Sequence, residues 1–312
     1  MTTYRVIKYD LSMNANPDSN KIFLIHLGGL GDMCLSESTF LSLSRHFEGN
    51  IEALGYTRFL KLFDKYFAKI HRIESIKWLH LFSNHCPDTI YKQIVFIGKD
   101  REGNLRQQWQ GFSKEPLIFI EMYPENQFID HSSWLIDSEK GDLTSHELRA
   151  DPCYVEDYQL AQLSQYGIKA IRKEIKPGLS GRVILYPEIG FQKKKWPLEN
   201  FMELYNSLKL KKIEVQILES LGLSLDIKNK ISFQELSDIK GFFQGGGIFV
   251  SNDSGMAHLA GMCGLISITI FTDFNPLVWH PRGRNLTLRQ GADIIDIPTI
   301  ETMIMELMTQ GL

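Results

Sequence analysis

The stretch HLGGLGDMCLSES, residues 26–38, decides how this chain folds. It follows the apolar run KIFLIH (21–26) and precedes residues whose hydrophobic side chains recur at helical spacing. A glycine-rich turn between a buried strand and a helix is typical of βα units in parallel sheets, where the helix start favours a ligand. The turn therefore predicts an α/β protein with a ligand beside it: a dinucleotide, a phosphate or a sugar.

Alternation of short apolar strands and amphipathic helices continues along the chain and predicts two doubly wound, Rossmann-like parallel-sheet domains. Pro197 marks the start of one helix in the second series, and SFQE (232–235) has the pattern of a capping box that opens another. The predicted boundaries are a first domain over 1–170, a linker over 171–181, a second domain over 182–297 and a C-terminal helix over 298–312.

Composition narrows the class of protein. The 312 residues carry a net charge of -3, which does not favour nucleic-acid binding. The 4 cysteines show no CxxC spacing, so neither a disulfide framework nor a structural zinc site is predicted. The N-terminus lacks the apolar stretch of a signal peptide, and no run reaches the ~18 apolar residues of a membrane span. These features predict a cytoplasmic protein.

A dinucleotide site at the first turn is the weaker interpretation. Gly29 and Gly31 supply two glycines of a Rossmann fingerprint, and Glu52 lies near the place of the ribose-binding acid, but Cys34 occupies the third glycine position. Asp32 would also repel a pyrophosphate. Its carboxylate either caps the helix or serves as a base that faces a neutral hydroxyl group.

Two later strand-to-helix junctions carry groups suited to a phosphate. SNDSGMAHLAG (251–261) places Ser254 and His258 four residues apart on one helix face, although Ser254 could simply cap the helix. PEIGFQKKKWPLENF (187–201) carries three lysines just before a helix start. These lysines are either solvated or placed to stabilise a leaving diphosphate.

Together the three stretches resemble one family, the ADP-heptose–lipopolysaccharide heptosyltransferases of glycosyltransferase family nine. The resemblance rests on LGGLGD, KKWP and NDSGMAHLAG followed by ISITIFTDFNPLVWHP, in this order over roughly residues 21–310. It implies a GT-B fold, two Rossmann-like domains that face a cleft, with a last helix that crosses back to the first domain. It also implies inverting transfer of a heptose from an ADP-heptose-like donor to a glycan hydroxyl, without a metal or cofactor.

The resemblance also implies a role for individual residues. Asp32 matches the general base, and Lys194 matches the lysine that stabilises the departing diphosphate. The remaining matches are donor-binding residues and the glycines of the acceptor-side turn. The donor-binding set is Asp253, Ser254, Gly255, Met256, His258 and, more loosely, Glu219; the turn glycines are Gly28, Gly29 and Gly31.

Several positions depart from the family pattern. Gly28 and Gly29 stand where small hydroxyl residues are usual, and Glu188 stands where a glycine is common. The donor's base and sugar therefore stay open. The alternatives are a GT-B nucleotide-sugar epimerase and a non-catalytic nucleotide-sugar binding protein.

A lipid-linked glycan acceptor would bring the protein to the cytosolic face of the inner membrane as a peripheral protein. Lys61, Lys65, Lys69 and Arg72 lie near the predicted second helix and either help that docking or form an ordinary solvated face. The sequence leaves the oligomeric state open.

Overall fold

A computed structural model describes residues 20–83, 90–124, 154–178, 180–187, 195–219, 230–289 and 295–311. The first domain has a five-stranded parallel sheet in the order β3-β2-β1-β4-β5. Its strands are β1 (Ile22–His26), β2 (Ile51–Gly55), β3 (Lys69–Arg72), β4 (Gln93–Gly98) and β5 (Ile118–Glu121). Its helices are α1 (Leu30–Leu35), α2 (Glu37–His46), α3 (Thr57–Leu60), α4 (Asn104–Trp109) and α5 (Val155–Leu163).

The second domain has a six-stranded parallel sheet in the order β11-β10-β9-β6-β7-β8. Its strands are β6 (Arg182–Tyr186), β7 (Glu214–Leu218), β8 (Lys230–Ile231), β9 (Ile248–Asn252), β10 (Ile266–Phe271) and β11 (Asn285–Arg289). Its helices are α6 (Leu198–Leu210), α7 (Leu236–Phe243), α8 (Gly255–Met262), α9 (Pro276–Trp279) and α10 (Ile297–Gly311). The two sheets confirm the predicted α/β architecture.

Each sheet has a point at which the strand order reverses. In the first sheet the reversal lies between β1 and β4, and in the second it lies between β6 and β9. Ligands of open parallel sheets bind outside the carboxyl ends of the strands at such points. The loop after β1 holds the Gly28–Asp32 turn, and the loop after β9 holds Asp253. The fold thus places two predicted motifs where ligands bind.

The two domains pack directly on each other. All five residues of β1 are buried, as expected for the central strand of a sheet covered on both faces. One hydrophobic cluster includes Met33 from α1 together with Met256 and Leu259 from α8. Helices α1 and α8 therefore share a core across the interface, which fixes the first turn against the second domain.

A buried ionic cluster adds to this interface. Arg282, only 2% exposed, lies 2.6 Å from Glu37 and 2.9 Å from Glu156, both of the first domain. The guanidinium also donates hydrogen bonds to the Ser38 hydroxyl and to the Lys173 carbonyl, each at 3.0 Å. Burial alone would raise the pKa of Glu37, but the positive charges of Arg282 and a nearby lysine outweigh it and lower that pKa.

Two local expectations require correction. The SFQE segment does not open a helix: α7 begins at Leu236 with Glu235 at its N-cap, because residues 230–231 are used in β8 and residues 232–235 form the connection. Pro197 occupies the N-cap, one residue before α6, and not the first helical position.

The last helix begins at Ile297, close to the predicted boundary. Its buried residues Ile300, Ile304 and Leu307 share a hydrophobic cluster with strands of the second sheet, and Glu301 accepts a hydrogen bond from Ser207 at 2.6 Å. These contacts hold α10 on the second domain, whereas the family resemblance implied that this helix crosses to the first. Within the described ranges, no helix combines the length and hydropathy needed to cross a bilayer.

Candidate active site

Asp32 occupies the third position of α1, directly after the glycine turn. The Gly29 N–H donates a hydrogen bond of 2.7 Å to its Oδ2, and the Tyr123 hydroxyl donates a second to the same carboxylate. Lys99 lies with its Nζ 4.5 Å from the centre of the Tyr123 ring. Three segments, the loops after β1, β4 and β5, therefore converge on one carboxylate.

The environment of Asp32 raises its pKa. Burial is the largest effect and disfavours the charged form, while the hydrogen bonds from Gly29 and Tyr123 and the charge of Lys99 act in the opposite direction. A carboxylate with a raised pKa is a better proton acceptor than an ordinary aspartate when it is ionised. The site can therefore hold a general base.

His26, the last residue of β1, holds the glycine turn in place through hydrogen bonds of its ring. The Gly28 N–H donates to its Nδ1 at 3.2 Å, so the ring is neutral and carries its proton on Nε2, which lies 3.2 Å from Ser36 Oγ. Ser36 in turn donates to the Asp32 carbonyl at 2.8 Å. Burial lowers the pKa of His26 to about 3, so the ring stays neutral in the physiological range.

Gly28 has a steric reason to be glycine. A Cβ at this position would lie 2.6 Å from the Asp32 Cβ and 2.8 Å from His26 Cε1, distances that real side chains do not tolerate. A Cβ at Gly29 would meet nothing closer than Asp32 Oδ2 at 3.7 Å. The departure from hydroxyl residues at position 28 thus follows from how tightly Asp32 and His26 flank it.

The starts of α1 and α8 meet across the domain interface. A Cβ on Gly31 would lie 2.8 Å from His258 Cδ2, and a Cβ on Gly255 would lie 3.1 Å from the Leu30 Cβ. The absence of side chains at both positions lets the two helix starts approach. The structure therefore brings the Asp32 turn and the NDSG segment into one site.

Within that site, Ser254 caps α8: its hydroxyl accepts a hydrogen bond from the Ala257 N–H at 3.3 Å. His258 lies with Nε2 3.9 Å from Asp253 Oδ1, and its Nδ1 is buried with no hydrogen-bond partner among the described residues. Burial, with a smaller contribution from His280, lowers the pKa of His258 to about 3. His258 is thus a neutral ring packed at the interface, and Met256 is buried beside it.

The KKKWP segment is tied to the same junction. The Trp196 N–H donates to Asn252 Oδ1 at 2.9 Å, and Asn252 Nδ2 donates back to the Trp196 carbonyl at 3.3 Å. Asn252 directly precedes Asp253, so the end of the lysine-rich loop lies beside the start of α8. Lys194 and Glu188 themselves lie outside the described residues.

Glu219 lies at the end of β7, the strand next to β6 in the second sheet. It directly follows β7, and its carboxylate lies 3.1 Å from Lys230 Nζ. Its N–H donates to the Ile231 carbonyl at 2.9 Å, which fixes the residue at the carboxyl edge of the second sheet. Glu219 therefore shares this edge with the loop after β6, but it is already paired with a cation.

Sequence reasoning missed three residues around Asp32: His26, Lys99 and Tyr123. The first two carried a usable signal, because His26 ends β1 and Lys99 is the first residue after β4, at the predicted switch point. Tyr123 carried none, because its contact with Asp32 depends on how β5 is placed in the sheet. Tyr123 also reaches the second domain, with its ring centre 4.8 Å from that of Trp279.

Two parallel-sheet domains whose switch points face each other across one interface define a GT-B fold. Residues 154–294, a little under half of the chain, match the model of glycosyltransferase family 9 (heptosyltransferase). Together with the fold, this match indicates that the chain is a glycosyltransferase. The match confirms the resemblance predicted from the three motifs.

Solved structures support the fold over nearly the whole chain. A glycosyl transferase family 9 protein from Veillonella parvula is 11% identical to this chain and superposes with a TM-score of 0.64. The alignment covers 95% of this chain and 99% of that protein. Heptosyltransferase WaaC of E. coli with ADP shares 11% identity with a TM-score of 0.60 and covers 92% and 99%. ADP-heptose lipopolysaccharide heptosyltransferase II of E. coli shares 14% identity with a TM-score of 0.57 and covers 93% and 99%. No curated protein sequence matches the chain.

Proposed function

We propose that this glycosyltransferase moves a heptose, with inversion, from an ADP-heptose-like donor to a hydroxyl group of a lipopolysaccharide-core or related glycan. The observation that carries the proposal is the packing of the Asp32 turn against the start of α8, which is so close that a Cβ added to Gly31 would lie only 2.8 Å from His258 Cδ2. A base on one domain and a phosphate-binding helix start on the other are thereby adjacent. The structures of E. coli WaaC with ADP and with an ADP-heptose analogue favour the same donor class.

In this mechanism Asp32 is the general base. Its carboxylate takes the proton of the acceptor hydroxyl while the hydroxyl oxygen attacks the anomeric carbon from the face opposite the diphosphate, which inverts that centre. A positioned base typically contributes about 10²–10⁴-fold to the rate. The hydrogen bonds from Gly29 and Tyr123 orient the carboxylate for this step.

The leaving diphosphate departs with the electron pair of the broken bond and needs fixed positive charge. The N–H groups of Gly255 and Met256 lie at the start of α8, where the helix dipole favours an anion. Lys194 supplies the cation in this proposal, and no metal ion or cofactor is assigned. Asp253 would contact the donor sugar, and Glu219 would contact the nucleoside.

The central experiment compares Asp32→Asn with the wild type. The amide keeps the shape of the side chain but cannot accept the proton, so transfer should fall by at least about 10²-fold while donor binding survives. Lys194→Ala should weaken both transfer and donor binding. Normal turnover in Asp32→Asn would overturn the role of the base.

Donor identity is tested by thermal stabilisation with ADP-, GDP- and UDP-sugars. A ligand at about 100 times its dissociation constant adds about 2.7 kcal/mol to the stability of the folded state, which gives a clear shift in Tm. We expect the ADP-heptose-like donor to stabilise most. A stabilising donor that is never turned over with any glycan acceptor would instead favour a non-catalytic binding protein.

A further inference from the structure

An apolar groove opens on the first domain. It has a volume of about 510 Å³ and lies at the β3 edge of the sheet, near the ends of β1 and β3. Most of its lining is hydrophobic, and its principal residues are Leu27, Ile73, Ile76, Trp78, Leu79 and Phe82. The groove therefore lies at the same carboxyl edge of the sheet as the Asp32 turn.

One rim of the groove exposes large hydrophobic side chains. Ile76 is 81% exposed, Leu79 is 61% exposed and Phe82 is 40% exposed, while Trp78 and Leu81 of the same 3₁₀ segment are buried. The buried pair anchors the segment to the domain, so the three exposed side chains are presented outward. A contiguous apolar patch of this kind on a folded protein marks an interaction surface.

The residues around this patch are strongly basic. Residues 56–83 carry six lysine or arginine side chains and two carboxylates, a net charge of +4, in a chain whose net charge is -3. All six cations are exposed, and two of them also have a carboxylate partner: Lys65 pairs with Glu37 and Arg72 with Glu74. They are Arg58, Lys61, Lys65, Lys69, Arg72 and Lys77. They lie on elements that pack together at one sheet edge, because α3 and the 3₁₀ segment 61–66 both pack against β3.

We propose that this surface, the exposed side chains of Ile76, Leu79 and Phe82 with the cations carried by residues 58–77, docks on an anionic lipid bilayer. An apolar rim that enters the headgroup region and cations that meet anionic lipids are the two signals that together give stable peripheral binding. Leu27 lines the groove and directly precedes Gly28, so docking would bring the acceptor side of the site to the bilayer surface. The purpose of the docking, access to a lipid-linked acceptor, rests on the proposed function.

Co-sedimentation with vesicles that contain neither donor nor acceptor tests the docking itself. The full chain should bind vesicles of phosphatidylcholine with phosphatidylglycerol and bind phosphatidylcholine alone much more weakly. Ile76→Ser with Leu79→Ser should lower the partition coefficient by at least about tenfold, since both side chains lose their apolar contact with the bilayer. Leu210→Ser is the matched control, because Leu210 is 85% exposed on the second domain and should have no effect.

A second variant tests the electrostatic part. Lys69→Glu with Lys77→Glu should abolish the preference for anionic vesicles, and the binding of the wild type should weaken as salt is added. Equal binding of the serine variant and the wild type, or no binding of the wild type to anionic vesicles, would overturn the proposal. So would a wild-type dimer, seen by light scattering, that the serine substitutions convert to a monomer without any vesicle binding.

Transfer to a lipid-free acceptor separates this proposal from the proposed function. The serine variant should keep that activity, because its substitutions lie on the surface and leave Asp32 untouched. If the wild type binds anionic vesicles but transfers no sugar, the docking surface stands and the assigned reaction fails.

Discussion

Replacing Arg282 by methionine should destabilise the protein strongly. The substitution removes the cation that lies 2.6 Å from Glu37 and 2.9 Å from Glu156, and all three side chains are at most 6% exposed. Breaking a buried ion pair by removing one partner typically costs about 3–5 kcal/mol, because the remaining charge is buried without compensation. Glu37 keeps its bond to Lys65 at 3.1 Å and Glu156 keeps Arg172 at 2.8 Å. We therefore expect the lower end, about 3 kcal/mol.

Thermal unfolding measures this loss, which for a chain of 312 residues corresponds to a decrease in Tm of about 5 °C. Arg45→Met is the matched control, because Arg45 is exposed on α2, so its loss should cost less than about 0.5 kcal/mol. Adding Glu37→Gln to Arg282→Met should recover part of the stability by removing an uncompensated charge. Equal Tm values for the two methionine variants would refute the reasoning.

The effect should also depend on pH with a definite sign. The pKa of Glu37 is lower in the folded protein than its ordinary value of 4.5. Its ionic contribution is therefore fully present above about pH 4.5 and is lost as the pH falls through the folded-state pKa. Wild type and Arg282→Met should accordingly differ less in acid than at neutral pH.

Three further predictions concern the site. Gly28→Ala should lower kcat/KM at least tenfold by displacing Asp32, whereas Gly29→Ala should leave it near normal; equal losses would contradict the steric argument. Tyr123→Phe removes a hydrogen bond that lowers the pKa of Asp32, so the acidic limb of the kcat/KM profile should move to higher pH; an unmoved limb would argue against the contact. The two buried histidines of the site, each with its pKa lowered to about 3, stabilise the fold fully above about pH 6.5. Below about pH 6, where both histidines of the unfolded chain are protonated, the free energy of unfolding should fall by about 3 kcal/mol per pH unit, and equilibrium denaturation between pH 7 and 5 checks this.

The sheets could be predicted from the sequence because each central strand is a short, nearly continuous apolar run. QIVFIG and ISITIF are buried at every position and correspond to β4 and β10 in full. A strand that is buried on both faces is apolar at almost every position, so its position can be read directly from the sequence. The start of α7 could not be predicted in the same way. The capping-box pattern of SFQE is a local signal, whereas the pairing of β8 with β7 places residues 232–235 in the connection before the helix.

The site could be predicted only in part. Asp32 and Asp253 stand out because each lies on a strand-to-helix turn, a feature visible in a short stretch of sequence. The contacts of Tyr123 with Asp32 and of Gly31 with His258 join segments far apart in the chain. No local pattern encodes them, because they arise from the placement of β5 in its sheet and from the docking of one domain on the other.

Tyr123 touches both halves of the molecule, with its hydroxyl on Asp32 and its ring against Trp279. If the two domains separate, the Tyr123 ring loses its contact with Trp279, and the Tyr123 hydroxyl is then held less firmly against the Asp32 carboxylate. The position and the pKa of the Asp32 carboxylate then depend on whether the second domain is in place. If Asp32 is the proposed base, its carboxylate is fully oriented, and most readily ionised, only while the two domains are in contact.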